Sequence, residues 1–262
     1  MSRIAETFAR LREEKRRGFI PFITAGDPTL DATRALIPEL ARAGASVIEL
    51  GVPFSDPMAD GPVIQRASER ALRNRVGVAE VLEVIRDARR ETDVPVVLFS
   101  YYNPLLQFGA ERLCAEAQRA GVDGMLVTDL APEEAVDFAA TLRAHELDLI
   151  FLVAPTSTDA RLRRIAERAS GFIYAVSRAG VTGVQSESSA EAGRLVARVR
   201  AVTDLPVAVG FGISTQQQVA EVWRYADAAV VGSAIVAEIE KGGDAPDLVA
   251  RIGRFAHGLL PS

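Results

Sequence analysis

The segment FIPFITAGDP (residues 19–28) is the stretch of sequence that decides between two α/β folds. Its first seven residues form a continuous apolar run, which is typical of a parallel strand that is buried on both faces. A doubly wound dinucleotide-binding fold normally places a GxGxxG turn after its first strand, whereas this strand runs into TAGDP. The segment therefore favours a closed barrel over an open doubly wound sheet.

Seven further apolar runs follow the first one along the chain. They are SVIEL (46–50), VPVVLF (94–99), GMLVT (124–128), LDLIFLV (147–153), GFIYAV (171–176), LPVAVG (205–210) and DAAVVG (227–232). Charged amphipathic stretches lie between the runs, and several of these end in glycine, as helices commonly do. Eight strand–helix units in 262 residues predict a single (β/α)8 (TIM) barrel domain over residues 1–262.

Two helices are expected in addition to the eight that alternate with the strands. Ile4, Phe8 and Leu11 mark one face of a short amphipathic helix, which we expect to cover the bottom of the barrel. The segment that opens with Gly232 and Ser233 predicts a short extra helix directly after strand eight.

The composition excludes several kinds of site. The chain has two histidines and one cysteine, too few for a zinc site that does not depend almost entirely on carboxylates. Of its two lysines, Lys15 lies in the charged run EEKRR and Lys241 precedes a glycine pair, so neither is expected to be the desolvated amine of a Schiff-base enzyme. We therefore expect no metal and no lysine-bound cofactor.

Charge and hydropathy patterns argue against a nucleic-acid-binding protein, a membrane protein and a secreted protein. The net charge of −5 is not typical of a nucleic-acid-binding protein. No apolar stretch approaches the 18 residues of a membrane span, and the first residues lack the apolar segment of a secretory signal. A lone cysteine suits a reducing compartment, and we expect a cytoplasmic protein.

The glycines after the last strands predict a phosphate site. Strand seven leads into GFGIS (210–214) and strand eight into GSAIV (232–236), at the two loops where barrels frequently hold a phosphate. Tight turns without a ligand are the alternative. The long segment SRAGVTGVQSE (177–187) after strand six predicts a mobile lid, and a disordered insertion is its alternative.

Two carboxylates are candidates for catalysis. Glu49 ends strand two among apolar residues, where partial desolvation would raise its pKa and suit it to proton transfer; pairing with an arginine is the alternative. Asp60 precedes Gly61 in a proline-rich loop and either faces the pocket or only forms a turn.

The sequence closely resembles the tryptophan synthase alpha chain family. The matching segments are PFITAGDP (21–28), ELGVPFSDPMADGPVIQRA (49–67), YYNPL (101–105), APTST (154–158), GFIYAVSRAGVTG (171–183), VGFGIS (209–214) and VVGSAIV (230–236). They extend over nearly the whole chain. Met58, Val63 and Thr128 stand where many relatives carry Leu, Thr and Pro.

The resemblance implies cleavage of indole-3-glycerol phosphate to indole and glyceraldehyde 3-phosphate. It implies that Glu49 is the general acid/base and that Asp60 hydrogen-bonds the indole N–H, with Thr182 helping to hold Asp60. The other residues that it implies are Phe22, Phe99, Tyr101, Leu126, Tyr174 and Phe211 around the indole, and Gly183, Gly212, Gly232 and Ser233 at the phosphate.

The resemblance also implies a partner, a beta chain that carries pyridoxal phosphate, in an α2β2 heterotetramer. Pro53, Phe54, Asp56, Asn103 and Pro104 would form the interface. Two other functions stay open at this point: another phosphate-binding TIM barrel, such as an isomerase or epimerase, and a catalytically weak chain that activates its partner.

Overall fold

The eight predicted strands form a closed parallel barrel in the computed structural model, which describes residues 2–176, 185–210 and 212–261. The strands are β1 (Gly18–Thr24), β2 (Ile48–Gly51), β3 (Val96–Ser100), β4 (Gly124–Val127), β5 (Asp148–Val153), β6 (Ile173–Val176), β7 (Val207–Gly210) and β8 (Ala228–Val231). Each strand pairs in parallel with the next, and β8 closes the barrel by pairing with β1. The predicted TIM barrel is confirmed.

Helices follow the strands around the outside of the barrel. The helices formed by the described residues are α1 (Arg3–Glu13), α2 (Leu30–Arg42), α3 (Pro62–Arg73), α4 (Val78–Ala88), α5 (Tyr102–Phe108), α6 (Ala110–Ala120), α7 (Val136–Ala144), α8 (Asp159–Arg168), α9 (Gln185–Arg200), α10 (Gln216–Val222), α11 (Ser233–Gly242) and α12 (Leu248–Gly258). None of these helices is both long enough and apolar enough to cross a membrane. Residues 185–187, the last three of the segment that was predicted to be a lid, belong to α9.

Successive side chains along each strand point alternately into the barrel interior and out towards the surrounding helices. In β2, Ile48 and Leu50 pack in the cluster between the strands and the outer helices, and Val47 packs in the barrel interior. Since side chains alternate along a strand, Glu49 faces the interior with Val47. Strand β2 continues to Gly51, so Glu49 lies within the strand and not at its end as expected.

Helix α1 closes the bottom of the barrel, as predicted. The Ser2 side chain accepts a hydrogen bond from the backbone N–H of Ala5 at 3.3 Å and caps the helix. Ile4, Phe8 and Leu11 are buried in the same cluster as the interior strand residues. The rings of Phe8 and Phe172 lie 5.8 Å apart, so the helix supplies the lowest layer of the barrel core.

Helices α3 and α11 border the opposite end of the barrel. Helix α3 begins two residues after Asp60, and α11 begins two residues after β8 ends. Ala67 of α3 and Val236 of α11 are both buried against Phe22. This contact brings the loop that carries Asp60 and the predicted phosphate helix together on β1.

We predict that Phe8→Ala destabilises the whole barrel. Removing this ring leaves a cavity under the interior strands, and Phe→Ala changes in cores cost about 3–5 kcal/mol. Urea unfolding at pH 7 measures the loss. Arg10→Ala, on the exposed side of the same helix, is the control and should stay within about 0.5 kcal/mol of the native chain. Equal effects of the two changes would contradict the role of α1 as part of the core.

Candidate active site

Glu49 carries a buried carboxyl group in the barrel interior. Its side chain is 1% exposed, and neither carboxylate oxygen has a hydrogen-bond partner among the residues that the structure describes. Burial raises the pKa of Glu49 to about 8, because a charged form would lose its hydration without compensation. The alternative that Glu49 pairs with an arginine is therefore not observed within the described part of the chain.

Tyr174 lies on the interior face of β6 and is 9% exposed. Its pKa is raised well above its ordinary value, first by burial and second by the negative charge of Glu49. Gly210 on the neighbouring strand β7 leaves space for the Tyr174 ring, since a side chain at Gly210 would collide with the phenol oxygen. The barrel interior thus places a neutral phenol within the electrostatic reach of Glu49.

Aromatic and aliphatic side chains form the walls next to Glu49. Phe22 is the register partner of Glu49 on β1, and its ring meets the Phe99 ring edge to face with 5.2 Å between centroids. Leu126 is fully buried in the interior cluster, against which Phe99 packs. These three predicted indole-binding residues therefore lie in one apolar region.

Asp60 is held in a short turn above this region. Its backbone N–H donates to the Pro57 carbonyl at 3.0 Å, and the Gln65 amide donates to the Asp60 carbonyl at 2.9 Å. Burial raises the pKa of Asp60 to about 6, with a hydrogen bond from Tyr101 acting in the opposite direction. The turn spans residues 57–60, whereas Gly61 is extended and precedes the first residue of α3. The Asp60 side chain lines a recess at this end of the barrel.

Tyr101 connects the Asp60 loop to β3, a role that the sequence analysis missed. The backbone N–H of Ala59 donates to the Tyr101 hydroxyl at 2.8 Å. Burial and the charge of Asp60 raise the pKa of Tyr101 to about 12, so the phenol stays protonated. Its position directly after a strand was the available signal, but only the fold shows that it meets residues 59 and 60.

A small recess joins Asp60 to the aromatic wall. Its lining residues come from the ends of β1, β2 and β3 and from α3: Phe22, Thr24, Gly51, Val52, Asp60, Ile64, Ser68, Phe99, Ser100 and Tyr101. The Thr24 hydroxyl is buried there without a hydrogen-bond partner in the described residues. Half of the lining residues are apolar, and the other half contribute hydroxyl groups and the Asp60 carboxyl group.

The glycines predicted at the phosphate follow β7 and β8 at the same end of the barrel. Gly232 precedes the first residue of α11, and Ser233 opens the helix with an exposed side chain. Because Gly232 has no side chain to cap the helix, the amides of the first turn face outward with the positive end of the helix dipole. Gly212 has a φ of 73°, a backbone conformation that glycine adopts without strain.

Three predicted site residues cannot be placed. Thr182, Gly183 and Phe211 lie outside the described residues, as does the part of the predicted lid that precedes α9. Within the described ranges, no group of three or more His, Cys, Asp or Glu side chains is arranged to hold a metal ion.

The predicted partner interface borders the site. Phe54 lies 5.2 Å from the Tyr101 ring, Asp56 and Asn103 are exposed, and Pro104 is half-buried. Pro53, in contrast, is buried in the chain by itself, because it directly follows the buried end of β2. The large apolar side chains of Met58, Leu106 and Val136 are exposed, by 92%, 52% and 51%. Met58 lies in the same loop as Phe54 and Asp56, and Leu106 lies on α5 with Asn103 and Pro104.

Comparisons with known proteins give one family over the full length of the chain. The family model of the tryptophan synthase alpha chain matches residues 8–256. The tryptophan synthase alpha chain of Geobacter sulfurreducens is 54% identical over 99% of this chain and 98% of its own length. That of Solibacter usitatus is 49% identical over 99% and 97%.

Solved structures agree with the sequence relatives. Tryptophan synthase subunit alpha from Legionella pneumophila superposes with a TM-score of 0.92 at 38% identity and covers 99% of this chain and 97% of its own. Tryptophan synthase from M. tuberculosis in an aminoacrylate-bound form superposes with a TM-score of 0.87 at 37% identity, over 99% and 100%. The chain therefore belongs to the tryptophan synthase alpha chain family and is a lyase that cleaves indole-3-glycerol phosphate in tryptophan biosynthesis.

Proposed function

We propose that Glu49 and Asp60 carry out this cleavage by acting on opposite parts of the indole ring system. The reaction breaks the bond between indole C3 and the adjacent hydroxyl-bearing carbon of the glycerol phosphate chain. The bond electrons need an acceptor when that bond breaks. Protonation of C3 converts the ring into a cationic indolenine, which accepts them without a metal or a lysine.

Glu49 is the proton carrier in this proposal. Its carboxyl group is protonated at neutral pH because of its burial, so it can donate its proton to indole C3. The resulting carboxylate then takes the proton of the neighbouring hydroxyl as the carbon–carbon bond breaks and the aldehyde forms. One proton moves from the hydroxyl to C3, and Glu49 ends as it began.

Asp60 stabilises the cation in this proposal. Its carboxyl group titrates near pH 6, so it is ionised at neutral pH and can accept a hydrogen bond from the indole N–H. A fixed negative charge beside the ring favours the cationic intermediate over the neutral substrate. Tyr101 holds the backbone of the same loop and keeps the carboxylate in place.

The remaining predicted residues bind and enclose the substrate. Phe22, Phe99, Tyr101, Leu126, Tyr174 and Phe211 enclose the indole, and the amides near Gly183, Gly212, Gly232 and Ser233 bind the phosphate. Thr182 helps to hold Asp60 in its closed position. The observation that carries the proposal is that Glu49 is buried with no hydrogen-bond partner among the described residues. The glycine loops that follow β7 and β8 lie at the same end of the barrel as the Asp60 loop.

We propose that the partner is a beta chain and that the two assemble as an α2β2 heterotetramer. Pyridoxal phosphate belongs to the beta subunit, and this chain needs no cofactor of its own. The exposed apolar side chains of Met58, Leu106 and Val136 support an interface beside Phe54, Asp56, Asn103 and Pro104. Binding there would act directly on the loop that holds Asp60.

Replacing either carboxylate should abolish most of the activity. We expect Glu49→Gln to lower kcat for indole release by about 10²–10⁴-fold, the usual contribution of a general acid/base, and Asp60→Asn by about 10²–10³-fold. Indole release from indole-3-glycerol phosphate measures both. Glu69→Gln, an exposed carboxylate on α3, is the control. A Glu49→Gln enzyme as fast as the native one would refute the mechanism, and a native chain without activity would indicate an activator only.

The pH dependence of kcat/KM should be bell-shaped. Glu49 must be protonated, so activity falls as the pH rises through about 8. Asp60 must be ionised, so activity also falls as the pH drops through about 6. Initial rates at low substrate concentration between pH 5 and 9.5 measure both limbs. In Asp60→Asn the acid limb should disappear and the alkaline limb should remain; loss of the alkaline limb in that variant would contradict the assignment.

The beta chain should accelerate cleavage through the exposed interface. We expect the isolated chain to turn over slowly and saturating beta chain to raise kcat. Asp56→Ala should weaken this activation without changing the basal rate, because Asp56 is exposed and outside the recess. Glu83→Ala, exposed on the outer helix α4, is the matched control. Unchanged kcat on addition of beta chain would argue against the coupling.

A further inference from the structure

A chain of ion pairs connects helices α3 and α11, and none of its members has a role in the proposed mechanism. Arg66 of α3 donates two hydrogen bonds to Glu240 of α11, at 2.8 and 2.7 Å. Arg70 of α3 donates to the same carboxylate at 2.7 Å and to both oxygens of Asp27 at 2.7 and 2.9 Å. We call Asp27, Arg66, Arg70 and Glu240 the α3–α11 ion chain.

The ion chain is buried at the Asp27 end and partly exposed at the Arg66 end. Asp27 is 1% exposed and follows the end of β1, so one end of the chain is anchored in the barrel. Two of the three contacts are bidentate, which fixes orientation as well as distance. Beneath the charges, Ala67 and Val236 pack against Phe22, so polar and apolar contacts hold the two helices together.

Each helix leads directly to one part of the proposed site. Helix α3 starts at Pro62, two residues after Asp60. Helix α11 starts at Ser233, where the phosphate is proposed to bind, and Glu240 lies two turns further along. A displacement of α11 upon phosphate binding would therefore reach Asp60 through Glu240 and Arg66.

We propose that Glu240 is a positioning residue that couples phosphate binding at the start of α11 to the placement of Asp60. The phosphate group of the substrate then has two effects. It anchors the substrate, and it fixes the position of the Asp60 carboxylate, which stabilises the indolenine. The inference rests on the proposed phosphate site and goes beyond it, because it makes catalysis at the indole depend on occupancy of a separate subsite. Arg66 transmits the coupling, and Arg70 ties it to β1.

The test compares indole-3-glycerol phosphate with indole-3-glycerol, which lacks the phosphate, in the full-length chain. Glu240→Gln should lower kcat/KM for the phosphorylated substrate by about 10-fold, within the range usual for coupled sites. It should leave cleavage of indole-3-glycerol within about twofold of the native rate. A merely structural role would lower both rates by the same factor.

Inorganic phosphate gives a second readout. Added phosphate should fill the empty subsite and increase the cleavage of indole-3-glycerol by the native chain. In Glu240→Gln this activation should be lost. Glu238→Gln is the matched control, since Glu238 lies on the same helix but pairs with Lys241 and Arg251 and has no contact with α3 among the described ion pairs. It should behave like the native chain.

A second variant guards against a folding defect. Arg66→Met removes the two hydrogen bonds from Arg66 to Glu240 and leaves Arg70 bound to both Asp27 and Glu240. Its substrate pattern should therefore change in the same direction as that of Glu240→Gln, by a smaller factor. If Glu240→Gln and Arg66→Met respond to phosphate as the native chain does, the coupling is wrong although the phosphate site stands. If the native chain cleaves both substrates equally and ignores phosphate, the phosphate site and the coupling are both wrong.

Discussion

The burial of the Glu49 carboxyl group is the constraint on which the rest of the site depends. Its position on the inner face of β2 removes it from water, and no described side chain compensates for the loss. Its pKa of about 8, against an ordinary value of 4.5, keeps the carboxyl group protonated at neutral pH, as the proposed mechanism requires. Without that shift the group would be ionised at neutral pH and could not donate the proton that the proposed mechanism assigns to it.

This pKa shift also affects stability. Below pH 4.5 Glu49 is protonated in both the folded and the unfolded chain, and its burial carries no ionic penalty. Between pH 4.5 and 8 the unfolded chain releases this proton while the folded chain keeps it, so the free energy of unfolding declines as the pH rises. A shift of this size corresponds to roughly 5 kcal/mol once the pH is above 8. The core of the closed barrel must offset this cost, and the α1 layer beneath the strands is part of that core.

The closed barrel brings distant segments to one end of the molecule. The stretch of sequence from Glu49 to Gly232 is more than 180 residues long. Both residues, as well as Tyr101 and Tyr174 between them, belong to strands or to the loops that follow them. Two segments that are distant in sequence contact the elements on either side of Asp60. The Tyr101 hydroxyl accepts a hydrogen bond from Ala59, and Glu240 of α11 accepts hydrogen bonds from α3. The elements β1, β3, α3 and α11 are therefore joined by direct contacts around the candidate site.

The sequence by itself determined the barrel and the closing helix α1, and it identified Glu49 and Asp60 as candidates for catalysis. Continuous apolar runs at regular intervals are compatible with few folds, and the glycines after the last strands predict a phosphate site. Only the tertiary structure decided that Glu49 lies within β2 with no hydrogen-bond partner among the described residues, that Pro53 is buried, and that residues 185–187 belong to α9. It also decided that Tyr101 holds the Asp60 loop and that Arg66 and Arg70 meet Glu240. A local sequence pattern indicates which face of a helix or strand is apolar. Contacts between side chains of distant segments depend on how the strands and helices pack, and no single stretch of sequence encodes that packing.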